Sequence, residues 1–395
     1  MAATPHTGLP LATTTWDQAE YDAIAAVTTG GRFTMGPAVR AFEEEFAAHL
    51  GSRFAVMVNS GSSANLIGIA AAVHDPDIDL NPGDEVIVPA VSWATTYYPI
   101  TQLGLKLRFV DIDPATLNLD LAQVEERISP RTRAVFAVNL LGNPVDFTEL
   151  AAICDRNGLV FFEDNCESLG ATFDGRQAGT FGLFGAHSTF FSHHISTMEG
   201  GVIVTDSPYL EQASRSLRAH GWTRELADDN LIHPKSDDPF EDLFRFVLPG
   251  YNVRPVEMSG AIGSEQLRKL PGLIAGRRAN AAVFTEAFSG SEVVDIQRET
   301  GESSWFGFAM VLKPEFAGRR AELVHLLSEN SVESRPIVAG NFTRNPVMAR
   351  LEADVPATLP AADRIHFDGL FIGNHHTDVS VELQRVADLV EGLAR

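Results

Sequence analysis

Short runs of apolar, often β-branched residues alternate with helical stretches over the first two-thirds of the chain. Phe54-Ala55-Val56-Met57-Val58 predicts a strand, and residues 63–74 predict the helix after it. Residues 86–89, 107–110, 134–138 and 159–162 have the same texture, apolar on both faces, as strands buried between helix layers do. Between them, residues 147–157 predict a helix closed by Gly158 in the left-handed position past its end. Upstream, Phe42, Phe46 and Leu50 recur every four residues before Gly51 and mark the buried face of another helix. Such alternation predicts a mostly parallel α/β sheet, a fold that receives ligands at the carboxyl ends of its strands. Near residue 255 the texture changes to a long helix over 256–288 and then to segments richer in charge. The expected organisation is a large α/β domain over residues 1–255, including an N-terminal arm, and a smaller α+β domain over 256–395. Residues 228–241, acidic and punctuated by Pro234 and Pro239, predict a surface excursion.

Charge narrows the partners. Among 395 residues, 30 basic side chains stand against 52 acidic ones, a formal charge of −22. That disfavours nucleic acid, whose phosphates need many Lys and Arg to neutralise them, and anionic membrane for the same reason. A small anionic ligand is still open, because a pocket can differ in sign from the surface around it. Two cysteines, Cys154 and Cys166, cannot make a disulfide framework or a four-thiolate cluster. No run of 18 apolar residues occurs, and the first basic residue is Arg32. A cytoplasmic protein without a leader is expected.

Four stretches carry possible chemistry. Asn59-Ser60-Gly61-Ser62-Ser63-Ala64-Asn65 lies where a strand ends and a helix begins, where small residues let backbone N–H groups meet an anion. A plain serine cap reads equally well, and the glycine spacing of dinucleotide and P-loop sites is missing. Glu163-Asp164-Asn165-Cys166-Glu167 follows a strand, so its carboxylates could keep a heterocyclic nitrogen protonated, or simply cap a turn. Trp93, after Pro89-Ala90-Val91-Ser92, could cover a cofactor ring or fill the core. In His187-Ser188-Thr189-Phe190-Phe191-Ser192-His193-His194, adjacent histidines without a second His or Cys pair do not match a metal site.

Taken in order, these stretches resemble the sugar-nucleotide branch of the fold type I pyridoxal phosphate enzymes, the DegT-type sugar aminotransferases. The resemblance extends through Asn139-Leu140-Leu141-Gly142-Asn143-Pro144, Arg218-Ala219-His220-Gly221-Trp222-Thr223-Arg224, Leu248-Pro249-Gly250-Tyr251-Asn252-Val253-Arg254-Pro255 and Gly301-Glu302-Ser303-Ser304-Trp305-Phe306-Gly307. It implies an aspartate aminotransferase-like fold and a homodimer with shared active sites. It also implies Gly61, Ser62 and Ser188 at the cofactor phosphate, Trp93 on the ring, Asp164 at the ring nitrogen and Glu167 near the 3′-oxygen. Asn252 would reach the phosphate of the neighbouring subunit. Ser192, His220 and Arg224 would face the substrate, with Arg224 and Arg254 lending a positive field.

One departure decides the chemistry that the resemblance implies. Relatives that transfer amines hold the cofactor covalently through a lysine, six residues before the Glu of a Glu-Gly-Gly turn. Here, before Glu199-Gly200-Gly201, that position is His193. The chain has only four lysines, and none lies between Lys106 and Lys235. Pyridoxal or pyridoxamine 5′-phosphate would then be held non-covalently, with His193 as the base near its ordinary pKa of about 6.5. The histidine-bearing branch implies loss of the 3-hydroxyl from a GDP-linked 4-keto-6-deoxymannose, with L-glutamate restoring the aminated cofactor and ammonia released. An iron–sulfur-dependent dehydratase is disfavoured by the two cysteines. An aminotransferase with an unusual proton carrier and a non-catalytic regulatory relative are the alternatives.

Overall fold

A computed structural model describes residues 8–394. Two helices precede the sheet, α1 (Gln18–Gly30) and α2 (Pro37–Leu50). Strand then alternates with helix: β1 (Phe54–Val58), α3 (Gly61–His74), β2 (Glu85–Pro89), α4 (Ala94–Gln102), β3 (Lys106–Val110), α5 (Leu121–Glu126), β4 (Thr132–Val138), α6 (Phe147–Asn157) and β5 (Val160–Asp164). A small ribbon, β6 (Thr172–Phe173) and β7 (Arg176–Gln177), precedes β8 (Gly185–Ser188), β9 (Gly201–Thr205) and α7 (Pro208–Leu217).

The main sheet has eight strands, ordered β1-β9-β8-β5-β4-β2-β3 with β13 (Ala353–Asp354) on the far edge beside β3. Only β9 runs antiparallel to its neighbours, so β1, β2, β4, β5 and β8 all end on one side of the sheet. The expected strands are present, β1 with the expected bounds and the others shifted by a residue or two at their ends. The shift that matters is at β5, which runs to Asp164 and sets that carboxylate at the strand's carboxyl end. Likewise α3 starts at Gly61, earlier than expected, because the Ser63 N–H donates to the Ser60 side chain 3.1 Å away and Ser60 becomes its cap.

The long helix α8 (Glu257–Phe288) passes through Pro271 without ending. Beyond it come β10 (Val294–Ile296), β11 (Gly307–Leu312), α9 (Arg320–Glu329), β12 (Ser334–Arg335), α10 (Pro360–Asp368), β14 (Gly369–Gly373) and α11 (Ser380–Glu391). Strands β10, β11, β14 and β12 form a second, antiparallel sheet. Its own apolar core includes Phe284, Phe308, Leu323, Leu383 and Val386. Separate cores pack α3 and α4 on one face of the main sheet and α2 with α8 on the other. The buried Glu43 of α2 accepts from Arg215, from Arg218 at 2.5 Å and from the Met57 N–H at 2.8 Å, tying α2 to α7 and β1. Residues 228–241 are mostly exposed, as the sequence implied, and place Leu231 and Phe240 in solvent. No helix of the described residues is long and apolar enough to cross a membrane.

Candidate active site

At the carboxyl ends of β1, β2, β4, β5 and β8 lies a cavity of about 390 Å³. Of the residues singled out from the sequence, Gly61, Ser62, Trp93, Asp164, Glu167, Ser188, Ser192 and His193 all line it. Their convergence follows from the sheet, because parallel neighbours deliver successive strand ends to one crevice.

One end of the cavity is the first turn of α3. A Cβ on Gly61 would stand 2.7 Å from the Ser188 Cβ and 2.8 Å from the Cys166 Sγ, so only glycine lets β8 come this close to the helix start. The Ser62 hydroxyl lies 2.7 Å from the Thr95 hydroxyl, and both side chains face the cavity. Backbone N–H groups without helical partners, together with the dipole of a 14-residue helix, make this an anion cradle.

Asp164, at the end of β5, is buried. Its Oδ2 accepts from Asn65 Nδ2 at 2.9 Å and from the Thr96 hydroxyl at 2.7 Å, and its Oδ1 accepts from the Cys166 N–H at 3.2 Å. Thus it does stabilise the turn after β5, and it also faces the cavity. Asn65 lies one helical turn beyond Gly61 on α3, and its buried Oδ1 has no partner among the described residues. Glu167 accepts from the Leu141 N–H at 3.0 Å. Burial lifts its carboxyl to about 7; the Leu141 N–H opposes the rise and the charge of Asp164 adds to it. At the mouth, Trp93 is 60 % exposed and packs in no aromatic pair of the described residues, so it is a rim residue and not core filling.

His193 lies between two phenyl rings, with its centroid 5.1 Å from that of Phe306 and 5.9 Å from that of Phe190. Its imidazole makes no hydrogen bond with the described side chains, and its Nδ1 is buried. Burial, with help from the Arg277 charge, lowers its pKa to about 3, so the ring is a neutral base at neutral pH. The adjacent His194 points away, and its Nε2 donates to the Ser304 carbonyl at 3.1 Å. No group of three or more His, Cys, Asp or Glu among the described residues could hold a metal ion.

Asn252, His220 and Arg224 do not line this cavity. They meet elsewhere, around Trp222: His220 packs edge-on at 5.2 Å, and the guanidinium carbons of Arg224 and Arg254 stand 4.2 and 5.6 Å from the indole centroid. Arg254 Nε also donates to Asn252 Oδ1 at 3.1 Å. Within one chain, then, neither arginine lends its charge to the cavity, whose charged lining is Asp164, Glu167 and Glu199. Thr96 was not legible as a site residue, since only tertiary packing brings it here. Asn65 and Phe306 stood within stretches that the sequence singled out, residues 59–65 and 301–307, but their own places at the site were not legible there.

A family model described as DegT/DnrJ/EryC1/StrS aminotransferase matches residues 14–391. The chain belongs to that family. Within it, the chain is 51 % identical over 384 residues to a GDP-4-keto-6-deoxy-D-mannose 3-dehydratase of Yersinia pseudotuberculosis, covering 97 % of this chain and 98 % of that one. A solved structure of GDP-4-keto-6-deoxymannose-3-dehydratase with a trapped PLP–glutamate geminal diamine superposes with a TM-score of 0.95. It is 49 % identical, over 97 % of this chain and all of that one. A second structure, with the same score, identity and coverage, is a variant with one histidine changed to asparagine and GDP-perosamine bound. The DegT family accounts for the fold.

Proposed function

We propose that this chain removes the C3 hydroxyl of GDP-4-keto-6-deoxy-D-mannose, giving GDP-4-keto-3,6-dideoxy-D-mannose. Pyridoxal or pyridoxamine 5′-phosphate serves as cofactor, L-glutamate regenerates the amine form, and ammonia is released. The observation that carries the reading is His193: a neutral imidazole faces the cavity at the position of the family's lysine, and no lysine lines that cavity. The relatives named above act on this sugar nucleotide or hold PLP with glutamate.

The residues present fit the cofactor. The cradle at α3 has no room for a Cβ at Gly61, Asp164 is the β5 carboxylate that lines the cavity, and the Asn65 Oδ1, without a partner among the described residues, is buried beside it. Gly61, Ser62 and Ser188 would hold the phosphate, Asp164 the ring nitrogen and Trp93 one ring face, with Glu167 beside the 3′-oxygen. When bound, the cofactor supplies an amine to meet the C4 ketone and an electron-poor ring to accept electrons.

The chain's own residues do the rest. Thr96, Asn65 and the Cys166 N–H all donate to Asp164, which fixes the direction of its carboxylate toward the ring nitrogen. His193 takes the proton from the carbon that bears the amine, and Phe190 and Phe306 restrict water around its ring. Glu167, near neutrality, can hold a proton or give it up. With no lysine to displace the product, water releases it.

Arg224, of the cluster around Trp222 with Arg254, His220 and Asn252, stands over exposed Phe244, and exposed Phe246 pairs with Trp222 along the backbone. In the homodimer that we propose, this surface meets the neighbouring cavity: Asn252 reaches the phosphate, and Ser192, His220 and Arg224 face the sugar nucleotide. We place the enzyme in the cytoplasm, where nucleotide sugars are made.

Cofactor absorbance tests the reading. L-glutamate should bleach the bound pyridoxal chromophore, and the GDP-linked keto sugar should restore it. Failure of glutamate to bleach it would favour a non-catalytic relative.

A further inference from the structure

The stretch 301–307 was conspicuous in the sequence, yet the scheme above gives it no task beyond the Phe306 ring that restricts water at His193. It passes beside His193, and its backbone is held at each residue from Glu302 to Phe306. Ser304 N–H donates to the Gly142 carbonyl and Phe306 N–H to the Leu141 carbonyl, each at 2.9 Å. Gly142, at φ 97°, has no room for a side chain, because a Cβ would lie 2.4 Å from the Trp305 nitrogen. The carbonyls are held too. His194 Nε2 donates to Ser304, Asn374 Nδ2 to Trp305 at 2.9 Å, and Arg277 Nη1 to Phe306 at 3.1 Å. Arg277 is buried on α8 and pairs with no carboxylate among the described residues; its Nη1 hydrogen bonds all go to backbone carbonyls, Asn374 included at 2.8 Å. Trp305 sits in the left-handed region, at φ 49°, a conformation that the surrounding bonds must hold in place.

The product of this clamping is the position of one ring. Phe306 stands edge-on to His193 at 60°, and its other neighbour, His194, is 5.8 Å away. Resting on the assignment of His193 as the base, we propose that Phe306 is a positioning residue: clamped by Arg277, His194 and Asn374, it fixes the orientation of the His193 imidazole and keeps water from its inner face. An imidazole without a hydrogen-bonded orienter, as here, must be oriented by packing, and a displacement of about 1 Å in a reacting group can cost about 100-fold in rate. Leucine has similar bulk but no flat edge, so Phe306→Leu separates orientation from simple filling of space.

Phe306→Leu should lower kcat for dehydration by about 10- to 100-fold, with KM for the sugar nucleotide, PLP affinity and Tm close to wild type, while Phe306→Tyr keeps most of the rate. In the cofactor-free protein, an NMR titration of His193 supplies a readout besides turnover. Its pKa should rise toward 6.5 in Phe306→Ala as water reaches the ring. The charged groups facing it, Asp164, Glu167 and Glu199 on the cavity wall, His194 alongside and Arg277 behind, are the same in both proteins. A Phe306→Leu rate within twofold of wild type would overturn the proposal, and so would a rate loss matched by loss of PLP binding. His193→Asn that still dehydrates at the normal rate would instead overturn the assignment of the base.

Discussion

Adding one methyl group at Gly61 tests the anion cradle. The new Cβ of Gly61→Ala would meet Ser188 Cβ at 2.7 Å and Cys166 Sγ at 2.8 Å. Carbon atoms in contact normally sit about 3.5–4.0 Å apart, so relief needs roughly 1 Å of movement between the start of α3 and the end of β8. Cys166 Sγ could turn about its χ1, but the Ser188 Cβ, with its Cα at 3.2 Å, is fixed to the β8 backbone. Overpacking of this kind costs about 1–3 kcal/mol, and about 1 kcal/mol lowers Tm by roughly 2–4 °C in a domain of 150–250 residues. The loss should therefore be a few degrees for the cofactor-free protein. The same movement parts the two walls that would hold the phosphate, so PLP affinity should fall by at least about tenfold, or about 1.4 kcal/mol. Titration of PLP followed by absorbance, with melting curves at saturating and zero cofactor, measures both. If Tm falls but PLP affinity stays within twofold of wild type, the cofactor phosphate is not bound at the start of α3.

Two further outcomes follow from the electrostatics. Asp164→Asn turns an acceptor of three hydrogen bonds into an amide whose NH2 faces Asn65 and Thr96. A hydrogen bond to a charged group is worth about 1.5–3 kcal/mol, so PLP should bind about 10- to 100-fold more weakly by the same titration, and an unchanged affinity would count against the ring-nitrogen role. Stability should fall as pH drops from 6.5 toward 5. Burial holds His187 and His193 near 3, and His194 well below its ordinary value, so in this window the unfolded chain takes up protons that the native one does not. Each such group removes about 1.4 kcal/mol per pH unit, while raised Glu163 and Glu167 work in the opposite sense. Three imidazoles against two carboxyls leave a net loss, read as a falling Tm; a Tm that rises between pH 6.5 and 5 would refute the balance.

The sequence made legible whatever depended on neighbours along the chain. Apolar runs located the strands of the large sheet up to β5, and the residues just past their ends, Gly61, Trp93 and Asp164, reached the cavity because parallel strands end together. It did not show what comes from distant packing. The two side-chain donors to Asp164 sit on different helices, α3 and α4. Phe306 comes to His193 from more than a hundred residues away, through hydrogen bonds that leave no periodic trace. The Trp222 cluster was legible as a motif, but its placement outside the cavity of its own chain was not. The two-residue strand β13 lies in a stretch without apolar alternation, so pairing with β3 alone defines it.

The substitution of histidine for lysine makes its clearest statement in the products. With protein, PLP, L-glutamate and GDP-4-keto-6-deoxy-D-mannose mixed, free ammonia and the mass of the sugar nucleotide are measured together. The account predicts one ammonia released for each sugar consumed, and a product lighter by one oxygen atom. An amino sugar nucleotide formed without free ammonia would contradict it.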